Sequence, residues 1–284
     1  MTITFIPGEV NKSSCSAVQS NWKNHHIIAY GSGNNLIITT ATIPPTNKRP
    51  NPYNIDKDLQ TIYLEKDPVA IDINHKNGVI AVAYDDKLVI YKPMNEYMAI
   101  PKWTLAIEFT VDTEVTCLEW ACEEDELVIG GKESLYLYHV AEQYGEFKLL
   151  QRWSSPQPGA VSHICISPNA KLVMTTSGPY DRLVKVWTRM NYGDENTQFE
   201  VSYLVHPPGT YVVDFHWRRK SSRKNEKVLD GSLAHIRKMR GHVNLNNNES
   251  EVIYTWTSDY QFKDRKSTRL NSSHIQKSRM PSSA

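Results

Sequence analysis

The chain has 284 residues, 40% of them hydrophobic and 22% charged, a globular composition that excludes disorder throughout and suffices for one large or two ordinary domains. Its formal net charge is +1, no apolar run approaches the ~20 residues that span a bilayer, and Met1–Gly8 lacks the basic and apolar stretches of a signal peptide. Four cysteines (Cys15, Cys117, Cys122 and Cys165) without CxxC spacing predict reduced, mostly buried cytosolic thiols, not a disulfide framework or a zinc site.

With 15 Tyr, 7 Trp and β-branched residues in short runs, strands are favoured over helices. In chain order, an apolar pattern at i, i+3 and i+5 opens successive units. It is weak at Ala17/Ser20/Trp22, gives way near Val69 to an alternating Ile71 and Ile73, and is clear at Val115/Leu118/Trp120, Val161/Ile164/Ile166 and Val212/Phe215/Trp217. The starts at 17, 69, 115, 161 and 212 are 52, 46, 46 and 51 residues apart, close to the roughly 40–45-residue WD-repeat period lengthened by loops.

Each unit continues with a polar turn and two short strands. These are Val79–Tyr84 and Leu88–Tyr91, then Leu127–Gly131 and Leu135–Tyr138, then Leu172–Gly178 and Leu183–Trp187, the last close to the WD signature. A fourth strand closes each unit, as at Trp103–Phe109, Phe147–Trp153 and Phe199–Val205. Four short antiparallel strands with turns at fixed offsets make one propeller blade. A β-sandwich would not repeat with this period, and no 3.6-residue periodicity supports a helical solenoid. The expected fold is therefore an all-β, partial WD-repeat β-propeller of about four and a half blades, against the usual seven. Residues 9–209 form four blades, Tyr211–Trp217 opens a fifth, a polar insertion runs from Arg218 to about Glu251, and Val252–Asp259 is the next strand.

From Asp264 the text changes character. Asp264–His274 reads as the in-frame translation of a common short-read sequencing adapter, Ile275–Lys277 as a barcode, and Ser278–Ala284 as the adapter's continuation. The expected organisation is an incomplete propeller over 1–263 and a non-native, disordered tail over 264–284. Without the tail, 27 basic residues face 30 acidic ones, a net charge of −3.

Several residues invite chemical readings. Gly31-Ser32-Gly33 lacks the third glycine and following helix of a phosphate loop and reads as a tight blade turn. His25, His26 and His206 have no acids or cysteines at ligand spacing. His163 and Cys165 share a strand face as core neighbours, not as a catalytic dyad. Asp181 and Asp214 stand where WD blades carry an acid that bonds nearby backbone. No catalytic, cofactor-binding or metal-binding residue is expected. The strongest charge feature is the insertion, with Arg218, Arg219, Lys220, Arg223, Lys224, Lys227, Arg237, Lys238 and Arg240 against Glu226 and Asp230. It reads first as a solvated loop, and second as a contact for an acidic partner or anionic membrane surface. Nucleic acid is not expected, because interleaved aromatics are missing and the rest of the chain is acidic.

The run Ala29–Ile38, and the run Thr197–Pro207 leading to Phe215-His216-Trp217-Arg218, resemble the N-terminal propeller of the rabconnectin/DmX-like family. The resemblance runs from about Phe5 to Phe262 and is most specific over 183–218. It implies a portion of a much larger chain, the large subunit of the fungal RAVE complex, which regulates assembly of the proton-pumping ATPase of vacuolar and endosomal membranes. The implied partners are the other subunits of that complex and, through the full-length protein, peripheral subunits of the pump. The implied place is the cytoplasm, peripheral to those membranes. A trafficking or coat scaffold and a propeller enzyme are the rival readings.

Overall fold

Among the described residues, runs of β-branched and aromatic residues between turns fold as 19 strands. The computed structural model describes residues 8–42, 57–94, 100–121, 125–141, 146–154, 156–167, 172–178, 181–190, 199–217, 252–259 and 262–266. It divides into two units, Met1–Val212 and Val213–Ala284.

The first unit holds four antiparallel four-stranded sheets, each paired in chain order. The first contains β1 (Ala17–Trp22), β2 (His25–Ser32), β3 (Asn35–Thr42) and β4 (Lys57–Tyr63). The second contains β5 (Ala70–Ile73), β6 (Ile80–Tyr84), β7 (Lys87–Met94) and β8 (Lys102–Thr110). The third contains β9 (Val115–Ala121), β10 (Glu126–Gly131), β11 (Ser134–Ala141) and β12 (Glu146–Ser154). The fourth contains β13 (Val161–Ile166), β14 (Leu172–Ser177), β15 (Leu183–Arg189) and β16 (Phe199–Val205). The first strands of successive sheets are neighbours, β1 with β5, β5 with β9 and β9 with β13, so these strands line the inner side and β4, β8, β12 and β16 the outer. That is blade packing.

The core lies between blades. One cluster joins Trp22, Ile27, Leu36 and Ile38 of the first blade to Ile71, Ile73, Val82, Tyr91 and Trp103 of the second. A second joins Ala81, Ala83, Leu88 and Ile90 to Leu118, Trp120, Leu127 and Ile129. A third joins Val128, Leu135 and Leu137 to Ile166, Val173 and Trp187. Sheets covered on both faces need apolar residues at every position, which is why all five residues of β6, Ile-Ala-Val-Ala-Tyr, are buried.

The i, i+3, i+5 pattern is the imprint of a bulge. In β9, Cys117 pairs with Gly130 and Val115 with Gly131, leaving Thr116 as an extra residue. In β13, His163 pairs with Thr176 and Val161 with Ser177, leaving Ser162 extra. One inserted residue shifts the two-residue alternation by one step, so Val115, Leu118 and Trp120 share a face, as do Val161, Ile164 and Ile166. β5 pairs without a register shift, and there Ile71 and Ile73 simply alternate.

The second unit is a three-stranded sheet ordered β17 (Val212–Trp217), β18 (Val252–Thr257) and β19 (Phe262–Lys266). The sequence reading stopped this sheet after two strands. The structure adds a third, with Tyr254 opposite Asp264, Ile253 opposite Arg265 and Val252 opposite Lys266, three residues into the segment of adapter-like sequence. Ladder pairing is made by backbone groups, so polar residues of any origin extend a strand unless proline intervenes. Residues 267–284 lie outside the described set. Among the described residues, no helix is long and apolar enough to cross a membrane.

Candidate interaction surface

Among the described residues, several buried polar side chains join strands and blades. In the fourth blade the Trp187 indole donates to Thr175 Oγ1 at 3.0 Å, and Gln157 Nε2 donates to the same hydroxyl at 2.7 Å and to the Thr175 carbonyl at 3.0 Å. Beside them Ser177 Oγ donates to Asp181 Oδ2 at 2.8 Å, while Asp181 Oδ1 accepts the Leu183 amide at 2.9 Å. Asp181 thus fixes the turn between β14 and β15, as expected of an acid at that position. Asp214 likewise accepts from the Phe215 amide at 2.8 Å. Gln157 was not singled out from the sequence. Its signal was a lone amide just ahead of the inner strand.

Each junction has its own polar bond. Between the second and third blades Asp72 accepts the Trp120 amide at 2.7 Å. Trp120 is only 4% exposed, so the strand register read from its pattern holds. For Trp217 only the backbone of β17 is described. Between the third and fourth blades Arg189 and Glu126 form a buried ion pair, the guanidinium Nη1 lying 3.0 and 2.9 Å from the two carboxylate oxygens with side chains 6% and 7% exposed. Between the first and second, Gln60 bonds reciprocally to the Trp103 backbone at 2.7 and 2.8 Å.

The residues weighed for chemistry have structural places. Gly31 lies within β2, opposite Leu36, and Gly33, at φ 53°, lies in the two-residue turn between Ser32 and Asn35. A Cβ on Gly31 would come within 2.5 Å of Pro68, so the glycine serves close packing there. His26 Nδ1 is 2.8 Å from Asn21 Oδ1, and His206 Nδ1 is 3.1 Å from the Arg182 carbonyl. Burial, then the nearby Lys23 charge, lowers the His25 pKa. Cys165 is buried and His163 half-buried on β13. Among the described residues no group of three or more His, Cys, Asp or Glu could hold a metal. Arg218, Arg219, Lys220, Arg223, Lys224, Lys227, Arg237, Lys238 and Arg240 all lie outside the described residues, as does Cys122.

Exposed apolar residues stand on the outer strands. Tyr63 on β4, Leu105 on β8, Leu149 on β12, and Tyr203 and Val205 on β16 are exposed apolar residues on the fourth strands. Among the described residues each of those strands has a ladder partner on one side within its sheet, and β4, β8, β12 and β16 are the last strands of their sheets. A free edge carrying apolar side chains can accept an added strand or pack a partner. Rigid blades, free edges and rim loops are the working parts of an interaction propeller.

The fold is thus a WD-repeat β-propeller in partial form, and comparison with solved structures agrees. The chain resembles Saccharomyces cerevisiae Sqt1 at a TM-score of 0.59 and 12% identity, covering 96% of this chain and 65% of that one. Chaetomium thermophilum Sqt1 gives a TM-score of 0.53 at 11% identity, covering 93% and 61%. No protein-family model matches the chain. Among curated proteins it is 32% identical over 260 residues to the regulator of V-ATPase in vacuolar membrane protein 1 of Saccharomyces cerevisiae, covering 91% of this chain and 16% of the relative. It is 24% identical over 214 residues to the Schizosaccharomyces pombe protein of the same name, covering 73% and 15%. The chain is therefore a homologue of these regulators, as its resemblance to the rabconnectin/DmX-like family implied, and spans about one-sixth of their length.

Proposed function

We propose that this chain is a non-catalytic protein-interaction module, the propeller part of a RAVE-type complex that regulates assembly of the vacuolar and endosomal proton-pumping ATPase. The observation that carries the reading is the 32% identity over 91% of the chain to a protein named as a regulator of the V-ATPase in the vacuolar membrane. The geometry supports the scaffold part of it. Asp72, Glu126, Gln157, Asp181 and Arg189 all bond within or between blades, which makes a stiff frame, and the exposed apolar residues stand on free outer strands. The module works in the cytoplasm at the surface of those membranes. Its partners are the other subunits of the complex and, through the full-length protein, peripheral ATPase subunits, with the basic insertion as an acidic-partner or anionic-surface contact.

The test is affinity capture of the tagged chain from fungal cells with quantitative identification of what it retains. Enrichment of RAVE-type or peripheral ATPase subunits supports the reading. Retention of coat proteins in their place overturns the pump assignment, and turnover of any substrate by the purified chain overturns the non-catalytic one.

A further inference from the structure

Two thiols reach adjacent carbonyls of one strand at the inner side of the blades, and the scaffold reading uses neither. Cys15 precedes β1, and its backbone is fixed against β5. It forms a parallel bridge with Ala70, its carbonyl accepts the Ile71 amide at 2.8 Å, and Ser13 Oγ donates to the Val69 carbonyl at 2.6 Å. From there its Sγ reaches the fourth blade, 3.9 Å from the Ser162 carbonyl oxygen. Cys117, on β9, points its Sγ at the Val161 carbonyl oxygen, 3.4 Å away. Consecutive carbonyls of a regular strand point to opposite edges. The bulge at Ser162 breaks that alternation, and the two adjacent carbonyls receive one thiol each. Cys15 packs against the same core as Ala70 and Val115, and Val115 is two residues from Cys117 on β9. The thiols also influence each other: burial first, and then Cys15, raises the pKa of Cys117 well above its ordinary value.

We propose that Cys15 and Cys117 are a redox-sensitive pair that closes to a disulfide, fastening the start of the first blade to the inner strand of the third. The oxidant is a small-molecule disulfide such as oxidised glutathione. The Cys15 thiolate, on the half-buried side chain, attacks one glutathione sulfur, breaking its S–S bond and releasing one glutathione thiolate. Cys117 then loses its proton to solvent, and its sulfur attacks the Cys15 sulfur, forming the protein S–S bond and expelling the second glutathione. Two protein thiols are oxidised and one oxidised glutathione is reduced to two thiols. Burial of Cys117 makes the second step slow at neutral pH and faster as pH rises.

The test uses the chain of residues 1–284, incubated with oxidised glutathione, alkylated and digested without reductant for mass spectrometry. The expected product is one peptide pair joining Cys15 to Cys117, reversed by dithiothreitol, with Cys122 and Cys165 alkylated. Closing so long a loop is expected to raise the melting midpoint by roughly 5–10 °C. Cys15→Ser abolishes the linked peptide and leaves the melting of the reduced chain unchanged. The idea fails if the reaction stops at glutathione on Cys15 with Cys117 alkylated, if neither thiol reacts, or if Cys15 links to Cys122 or Cys165. The wild-type peptide map decides between these outcomes even if the variant does not fold.

Discussion

The first blade joins the second, and the third joins the fourth, with a different balance of rings and charges in the buried contact. At the first junction the fully buried contact is neutral and aromatic, and charged pairs such as Lys102 with Asp58 stand only at its half-exposed margin. Trp22 and Trp103 lie 6.5 Å apart, and the Trp103 indole donates to the Gly78 carbonyl at 2.8 Å. At the later junction Trp153, Trp187 and Phe199 supply rings at 5.4 and 4.9 Å, but a buried charge pair, Glu126 with Arg189, is added. Burial of rings stabilises wherever shapes fit. A buried ion pair returns little net stability, because desolvation offsets its attraction, yet it penalises heavily any arrangement that separates the charges. The first junction is thus held by packing, and the later one also carries a device that specifies which blade face meets which.

Breaking the packed junction has the largest expected effect. Trp103→Ala removes a nearly fully buried indole and leaves the Gly78 carbonyl without its donor, a loss of about 4–5 kcal/mol. Chemical denaturation followed by fluorescence measures it. A loss below 1 kcal/mol (a value far under the usual cost of ~3–5 for such truncations) would mean the blades do not share this core.

At the later junction the single and double variants differ in kind. Arg189→Met strands the Glu126 carboxylate in an apolar site and costs about 3–4 kcal/mol. Adding Glu126→Leu removes the stranded charge and restores most of that. If the double variant is as unstable as the single, the pair contributes more than specificity. Milder is Gly78→Ala, at about 2 kcal/mol. Gly78 has φ +77°, and a Cβ there would lie 2.6 Å from the Trp22 ring. Trp22→Leu in the same chain, by opening that space, should relieve part of the cost of the alanine.

These junctions mark how far the sequence could be read. Blade order and strand positions were legible because sheets covered on both faces demand apolar runs. Phe199–Val205 matches β16 residue for residue, and Leu172–Gly178 overruns β14 by one. The bulges at Thr116 and Ser162 leave their mark in the sequence as the i, i+3, i+5 spacing. The contacts that set one blade against the next were not legible. Glu126 and Arg189 are 63 residues apart, and Cys15 and Ser162 are 147 apart. Nothing in local periodicity marks which distant charge or thiol a side chain will meet. The third strand of the last sheet was missed for the converse reason. After Phe262 its residues Lys263–Lys266 show no apolar alternation, and all but Lys263 fall in the stretch read as a non-native tail.

The smallest expected effect sharpens the contrast between the packed blades and the basic insertion. Deleting Ser221–Ser250 leaves Arg218, Arg219, Lys220 and Glu251 to connect β17 with β18, which are neighbours in their sheet. Four residues lie within the usual range for a hairpin connection of about 2–5. Shortening the connection by about three halvings lowers its closure entropy, a change under about 2 kcal/mol in the stabilising direction. Circular dichroism should therefore show unchanged strand content, with a melting midpoint equal or slightly raised. The deletion also removes Arg223, Lys224, Lys227, Arg237, Lys238 and Arg240. If the insertion is the contact for an acidic partner or anionic surface, binding to vesicles rich in anionic lipid, or capture of acidic subunits, falls while the fold stays intact. A large loss of β signal would instead place insertion residues among those that hold the last sheet together. Unchanged binding with unchanged fold would point to the outer strands β4, β8, β12 and β16 as the working surface, since exposed apolar residues stand on them among the described residues.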